Sequence, residues 1–316
     1  MNRLLTPLAI CILLAQTWIA LHLPKGFYQD SFLLPVLLIA LLAAAHLMSR
    51  LTALADSGRP WQRPCQLAVP TLFGLMILLV WEAIVRGYDV PLVLMPEPSR
   101  VFVTLGNNLP LLWADFQQTY LKAVLAGYLM GCGLGFVAAK LVVRSPFLQK
   151  GLLPLGNFMA SIPIIGIAPI MVMWFGFDWQ SKAAVVVVMT FFPMLINTVA
   201  GLRSVDPLHA DLMHTYAAGK GQIFFKNQLP QAMPFIFNAL KLNSTLALIG
   251  AIVAEFFGTP IVGMGFRISA EVGRMNMDMV WATIFVAALA GSLSYGALAL
   301  LERRVTFWHP SVRRER

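Results

Sequence analysis

The stretch Asp211–Pro234 reads DLMHTYAAGKGQIFFKNQLPQAMP. It is polar, basic and compatible with helix, and it lies between two runs apolar enough to cross a bilayer. A structured polar loop in that position points to a soluble partner that meets it. Such a segment receives a force made elsewhere, because the rest of the chain carries no chemistry of its own.

Bulk composition makes lipid the solvent for most of the chain. Of 316 residues, 59% are apolar and 12% charged, and the mean hydropathy is +0.75. A soluble domain would carry about 25% charged residues. Cys11, Cys65 and Cys132 lie in or beside apolar runs without paired spacing, which excludes a disulfide framework and a cysteine metal site. The net charge of +9 comes from basic residues scattered singly between apolar runs, so topology accounts for it and nucleic acid does not.

Runs of about 20 mainly apolar residues mark candidate spans. Eight occur: Leu4–Leu23, Ser31–Leu54, Gln66–Val85, Phe116–Val143, Leu152–Phe175, Ala183–Leu202, Phe235–Phe256 and Met279–Leu301. The first is read as a retained helix, because its apolar run is long and no small-x-small cleavage site follows. With both termini cytoplasmic, fifteen Lys and Arg fall in inside segments and seven in outside ones, with Lys241 at a helix end. This bias predicts eight spans with the Asp211 loop in the cytoplasm.

Local signals add detail. The polar segment Ser49–Pro64 separates two spans from the other six. In Met95-Pro-Glu-Pro-Ser-Arg100 the prolines disfavour helix, and Ser99 is placed to cap a run starting near Val101. Gly127, Gly131 and Gly135 form successive GxxxG spacings, read as packing within one subunit. Pro163 and Pro169 flank Gly166, and prolines free carbonyls that are tolerable at depth only against protein or a wet cavity. That stretch reads equally as a pathway wall or as an ordinary kinked helix.

Enzyme readings fail on specifics. Gly219-Lys220 is followed by Gly221 where a phosphate loop needs Ser or Thr, and His214 stands where its first glycine belongs. No ATP hydrolysis by that route is expected. The five histidines show no ligand spacing, so no metal site is expected. Ser161 and Ser294 lack a nearby base, and no aspartates pair across facing spans. Glu82 and Glu255 sit close to interfaces and read as snorkelled or paired carboxylates. Deeper polar groups are neutral: Asn157, Ser161, Asn197, Asn243 and Ser244 suit a weakly binding path.

The loop resembles the cytoplasmic signature of permease subunits of bacterial ATP-binding cassette importers, in the nitrate/sulfonate/taurine branch. That signature reads E-A-A-x-x-x-G, then nine residues, then I-x-L-P. Asp211-Leu-Met falls at E-A-A, Ala217 at the glycine, and Asn227-Gln-Leu229-Pro230 at the end. Asp, Leu212, Met213 and Ala217 depart from the pattern, and Ala217 is expected to leave less room at the turn. Met95-Pro-Glu-Pro-Ser, Phe192-Pro193 through Asn197, Gly201 through Pro207, Ile249 through Gly258, Gly263-Met-Gly265 and Leu301-Glu-Arg-Arg304 are also similar to stretches of that family. The resemblance covers roughly residues 65–308.

It implies an all-α integral membrane protein: a six-helix importer permease core of type I with two additional N-terminal transmembrane helices, eight spans in all. The expected organisation is an extension over 1–64, a permease domain over 65–308 with its coupling loop at 204–234, and a basic tail over 309–316. Expected partners are cytoplasmic ABC ATPase subunits, an external or periplasmic solute-binding protein and a second copy of the permease in a homodimer. No cofactor is expected, since ATP binds the partner ATPase. Expected coupling residues are Asp211, Tyr216, Ala217, Lys220, Gln222, Ile223, Phe224, Leu229 and Pro230. Tyr216, Ile223, Phe224 and Phe225 would present an apolar surface from a short helix lying on the membrane face. Expected path residues are Asn157, Ser161, Pro163, Pro169, Asn197, Asn243 and Glu255.

Two alternatives belong to other classes. A secondary carrier would run without an ATPase, although the missing internal repeat argues against inverted halves. A membrane scaffold would need no binding protein. For substrate, the branch suggests sulfonates, taurine or nitrate, while Asp211-Leu-Met-x-x-Tyr216 also looks like importers of thiamine-precursor pyrimidines or riboflavin. The two groups stand level.

Overall fold

The structure, a computed structural model, describes residues 11–12, 33–55, 62–160, 162–258 and 261–308. Most of the expected Leu4–Leu23 span, Ser161 and the tail at 309–316 lie outside the described residues. The described residues are all-helical and divide into two compact units, Met1–Asn107 with Arg274–Ala282, and Asn108–Gly273 with Thr283–Arg316.

In the first unit, α1 (Leu33–Ala55) packs along α2 (Gln62–Gly87). Ala40, Ala43 and Ala44 are buried, which keeps the α1 backbone close to its neighbour. A turn then leads into α3 (Pro98–Asn107). The cap differs from the expected one. Helix begins at Pro98, and the carboxylate of Glu82 on α2 accepts from both the Ser99 N–H (2.9 Å) and the Ser99 hydroxyl (2.8 Å). Arg86 closes the group with ion pairs to Glu82 (2.7 Å) and Glu97 (3.5 Å). Glu82 is therefore paired rather than snorkelled.

The second unit holds α4 (Leu109–Arg144), α5 (Pro146–Ala160), α6 (Ile164–Phe175), α7 (Trp179–Arg203), α8 (Pro207–Thr215), α9 (Lys220–Glu255), α10 (Met264–Gly273) and most of α11 (Met277–Val305). Five helices are long and apolar enough to cross a membrane: Ala68–Gly87, Leu109–Arg144, Trp179–Arg203, Lys220–Glu255 and Met277–Val305. The apolar segments Leu38–Ala53 and Ile164–Phe175 are shorter.

The run expected to be one span over 152–175 is two helices. Pro163 occupies the N-cap of α6 with φ −61° and ψ 124°, an extended geometry that ends the preceding helix. Proline offers no N–H, and its ring disfavours helical geometry in the residue before it. Pro169 lies inside α6, where the helix carries it without a break.

Helix α7 is the spine of this unit, packed against α4, α5, α6 and α9. It starts after Gly176 (φ 82°), and Asp178 caps it by accepting from the Trp179 N–H at 2.7 Å. The Trp179 N–H and then the Gln118 amide (2.7 Å) hold the Asp178 carboxyl below the usual carboxylate range. The glycine stripe of α4 lies on α7. A Cβ at Gly127 would meet Val186 at 2.6 Å, and one at Gly135 would meet Met194 at 2.9 Å; at Gly131 it would run into Thr190 and the Val187 backbone. Lipid offers no hydrophobic drive for helix pairing, so this close approach supplies van der Waals contact that larger residues would prevent.

Replacing Gly131 with leucine should destabilise the chain by about 1–3 kcal/mol through overpacking. Gly133→Leu should be tolerated, because a Cβ there meets nothing within 4 Å. Thermal unfolding of both variants in detergent checks this; equal melting temperatures would sink the packing account.

Candidate functional site

The polar segment between α7 and α9 is built by local chemistry at every joint. Ser204 closes the end of α7 with its hydroxyl on the Gly201 carbonyl (2.8 Å). Asp206 caps α8 by accepting from the Leu208 N–H (2.9 Å), and Pro207 takes the first helical position, where a missing N–H costs nothing. At the other end of α8 the Ala218 N–H reaches the Met213 carbonyl (3.0 Å) and the Ala217 N–H reaches the His214 carbonyl (2.9 Å). These two bonds are a Schellman motif, which needs its central residue in the left-handed region.

Ala217 has φ 49° and is that residue. The glycine expected at this position is thus explained by backbone conformation, and not by room for close approach as first read. Helix α9 then starts at Lys220, with the Gln222 side chain accepting from the Gly219 N–H (3.0 Å). Its first turns widen into a π-helical segment, Phe224–Gln228, where the Leu229 N–H bonds to the Phe224 carbonyl. Pro230 follows, and a proline cannot donate the regular helical bond to Lys226, so the wider turn absorbs the mismatch.

This geometry sorts the expected coupling residues. Lys220 and Gln222 belong to the start of the long α9, so the segment is one short helix and a turn leading into a membrane-length helix. Phe224 is 5% exposed and lies in a core cluster with Cys132, Met194, Leu202, Ala232 and Ile236. The Lys140 ammonium sits 4.7 Å from its ring centroid. The expectation that Phe224 presents itself outward is corrected: the π turn rotates it into the chain's own core. Phe225, stacked edge-on to it at 5.0 Å, points out instead. Ile223, Leu229 and Pro230 are half-buried and Asp211 is exposed.

Exposed on α8 are Leu208 (75%), Leu212 (52%) and Tyr216 (77%). They are four residues apart and form one ridge on the helix. Sequence reasoning found Tyr216 but missed both leucines, although their spacing on a polar segment was the available signal.

The expected path residues are not brought to one place. Asn157 lies in α5, and Pro163 and Pro169 mark α6. Asn197 donates to the Pro193 carbonyl of its own helix (2.9 Å). Asn243 is fully buried and donates from α9 to the Thr190 carbonyl of α7 (2.8 Å) and to Cys132 Sγ of α4 (3.3 Å). Glu255 lies twelve residues further along α9, about 18 Å away at 1.5 Å per residue.

Around Glu255 the structure assembles a buried network. Its carboxylate accepts from the Thr119 hydroxyl (2.7 Å) and the Gly265 N–H (2.6 Å), and Thr119 in turn accepts from the Met264 N–H (2.7 Å). One turn earlier on α4, Asp115 pairs with Arg267 (2.8 Å) and accepts from the Gly263 N–H (2.8 Å). Gly263 has φ 149°, a conformation that side chains rarely adopt. Asp115 and Arg267 form a buried pair that fastens α10 to α4. The i, i+4 spacing of Asp115 and Thr119 on one face was the signal for it.

A family model described as "Binding-protein-dependent transport system inner membrane component" matches residues 131–307. The chain belongs to that family. Membership makes it a multi-pass inner-membrane permease of an ATP-binding cassette importer, a class that works with ATPase and solute-binding subunits. Among its relatives, the formylaminopyrimidine transport permease protein ThiX of Halalkalibacterium halodurans is 32% identical over 248 residues, covering 78% of this chain and 98% of that protein. The riboflavin transport system permease protein RibX of Chloroflexus aurantiacus is 30% identical over 240 residues, covering 75% and 89%. The taurine transport system permease protein TauC of Escherichia coli is 25% identical over 267 residues, covering 80% and 93%.

Two outcomes check the permease's local geometry. Asp115→Ala should cost about 3–5 kcal/mol, because it leaves the buried Arg267 guanidinium with only the longer Glu271 contact at 3.9 Å. Asp115→Leu with Arg267→Met should recover part of that, the Gly263 N–H still lacking its acceptor. Ala217→Gly should raise stability by about 1 kcal/mol, the cost of a left-handed residue with a Cβ. Melting temperatures of the purified variants report the first, and hydrogen exchange across residues 213–219 the second.

Proposed function

We propose that this permease forms the path for a small nitrogen heterocycle of the pyrimidine or flavin kind, delivered by a solute-binding protein and driven by a separate ATPase. In this reading the chain has eight spans with both termini cytoplasmic, a two-helix extension at 1–64, the permease domain at 65–308 and a basic tail at 309–316. The lysine and arginine bias supports that orientation; the five long apolar helices and the two shorter ones account for seven of the spans, and the eighth, at 4–23, lies mostly outside the described residues. The substrate class is carried over from the ThiX and RibX permeases, at 32% and 30% identity, whose names are those of heterocycle importers; the aliphatic sulfonates permease SsuC of Bacillus subtilis follows at 29% and the taurine permease at 25%.

The observation that carries the coupling role is the ridge Leu208–Leu212–Tyr216. It is an apolar row, exposed, outside the apolar spans, on a short helix fixed at both ends to membrane-length helices. Such a ridge suits a cleft on a cytoplasmic ATPase, with the aromatic residue as an anchor. Asp211, Lys220, Gln222 and Phe225 would rim the contact, while Ala217, Ile223, Phe224, Leu229 and Pro230 would hold its shape. ATP binding and hydrolysis belong to the partner. The permease pairs as a homodimer in this reading, and Asn157, Ser161, Pro163, Pro169, Asn197, Asn243 and Glu255 are proposed near the path.

Leu208→Asp with Leu212→Asp should abolish co-purification of the ATPase and ATP-dependent uptake, with the melting temperature of the isolated permease unchanged. Phe224→Ala should lower that melting temperature instead. Proteoliposomes holding permease, ATPase and binding protein should take up a formylaminopyrimidine or riboflavin in preference to taurine. Uptake that survives without ATP and collapses with a proton ionophore would favour a secondary carrier.

A further inference from the structure

At the base of α4 and α9 lies a cavity of 290 Å³ lined by Lys140, Arg144, His214, Lys220, Phe224 and Gln228 among others. None of its lining residues is acidic. Among the described residues, Lys140, Arg144 and Lys220 form no ion pair with a carboxylate. Lys140 is half-buried and held over the Phe224 ring at 4.7 Å, so one cation is fixed at the cavity floor. Arg144, His214 and Lys220 are exposed at its mouth, and Gln228 adds an amide. Three permanent cations around a concavity without a counter-charge repel one another until an anion enters. Arginine and lysine together suit a phosphate oxygen set.

The surroundings select the source of that phosphate. Met130 (47% exposed), Leu134 (55%), Val137 (54%) and Leu141 (52%) follow one another along one face of α4, and Arg144 continues the row. The spacing of four, three, four and three residues is one helical stripe. An apolar stripe about 17 Å long, roughly the hydrocarbon depth of one leaflet, that ends at a cationic cavity has the layout of an acyl chain beneath a headgroup.

We propose that this cavity binds the phosphate of an anionic phospholipid, seated between the base of α4 and the turn that enters α9. The inference uses the cytoplasmic placement of this end and is independent of which solute is carried. Basic pockets beside transmembrane helices on that face suit acidic headgroups. The lipid would bridge Arg144 of α4 and Lys220 of α9 beneath the Leu208–Tyr216 ridge, so leaflet composition would tune how firmly the ridge is held.

The full-length chain in neutral detergent is titrated with dioctanoyl phosphatidylglycerol, dioctanoyl phosphatidylcholine or inorganic phosphate, with melting temperature and lipid retention in native mass spectrometry as readouts. Phosphatidylglycerol should be retained and raise the melting temperature, and phosphatidylcholine should do neither. Arg144→Gln with Lys220→Gln should weaken phosphatidylglycerol binding about tenfold or more. The charge-keeping pair Arg144→Lys with Lys220→Arg should retain most binding, which separates lost charge from a folding defect. Lys226→Gln, outside the cavity, should bind as the unaltered chain does. Equal retention by the double glutamine variant, or equal loss with Lys226→Gln, would overturn the site. Inorganic phosphate that stabilises equally and displaces the lipid would assign the cavity to a free anion and refute the lipid. Displacement of the lipid by added partner ATPase would refute it too. A failed uptake assay with lipid retention intact would count against the transport reading alone.

Discussion

The contact between α4 and α7 is the constraint on which the second unit rests. In water, two apolar helices would be driven together whatever their surface detail. In lipid that drive is absent, and association depends on how closely two backbones come. Gly127, Gly131 and Gly135 remove every Cβ from one face of α4 over more than two turns, and Ala183, Val186, Val187 and Thr190 fill the space. Once α7 is held there, Asn243 can reach the Thr190 carbonyl from α9 with Cys132 alongside, which ties three helices at one level. A larger residue in the stripe would loosen that polar tie as well as the van der Waals contact.

The two ends of these helices are finished in different ways, and the difference follows from what backbone polar groups require. At the Glu255 end, the N–H groups of Gly263 and of the first two residues of α10 find their partners in carboxylates and a hydroxyl from other helices: Asp115, Thr119 and Glu255 each accept one. Buried N–H groups must be paired, and side chains of α4 and α9 supply the acceptors here. At the α8 end the partners are local, from an Asp cap, a Schellman turn and a Gln reaching back to Gly219. Both ends of α8 are thus closed locally, with Gln231 of α9 bonded to His209 on its flank at 3.3 Å, which suits an element that meets a second protein.

Much of this was legible in the sequence because it depends on composition or short spacing. The apolar runs, the GxxxG stripe and the Leu229-Pro230 motif all speak within a few residues. What stayed hidden depends on direction. Phe224 and Phe225 are neighbours about 100° apart on a helical wheel, and the extra residue of the π turn shifts which of the two faces meets the core. Glu82 capping Ser99 and Asp115 pairing with Arg267 join residues 17 and 152 positions apart. Charge counting could place these groups near an interface, but not find their partners. The break before α6 was signalled by Pro163, yet the apolar run across it satisfied a span-length criterion.

The same geometry bears on how a push on α8 would travel. Helix α8 is joined to α7 through residues 204–206 and to α9 through the turn at 216–219, so a force on it could splay the two apart or move them as one. Gly201 of α7 lies against Ala232 and Phe235 of α9, where a Cβ would meet the Phe235 Cβ at 2.8 Å. Phe224 packs with Leu202 and Ala232 in the same cluster, immediately above the loop. Splaying would have to open this contact and expose the Phe224 ring. Burying a phenylalanine side chain is worth about 1.5–3 kcal/mol, and the Asn243–Thr190 bond further along opposes the same motion. Moving together requires neither loss. If α8 is where the ATPase acts, the physical consequence is a rigid pair, α7 with α9, that tilts as a unit and carries α4 with it through the glycine face.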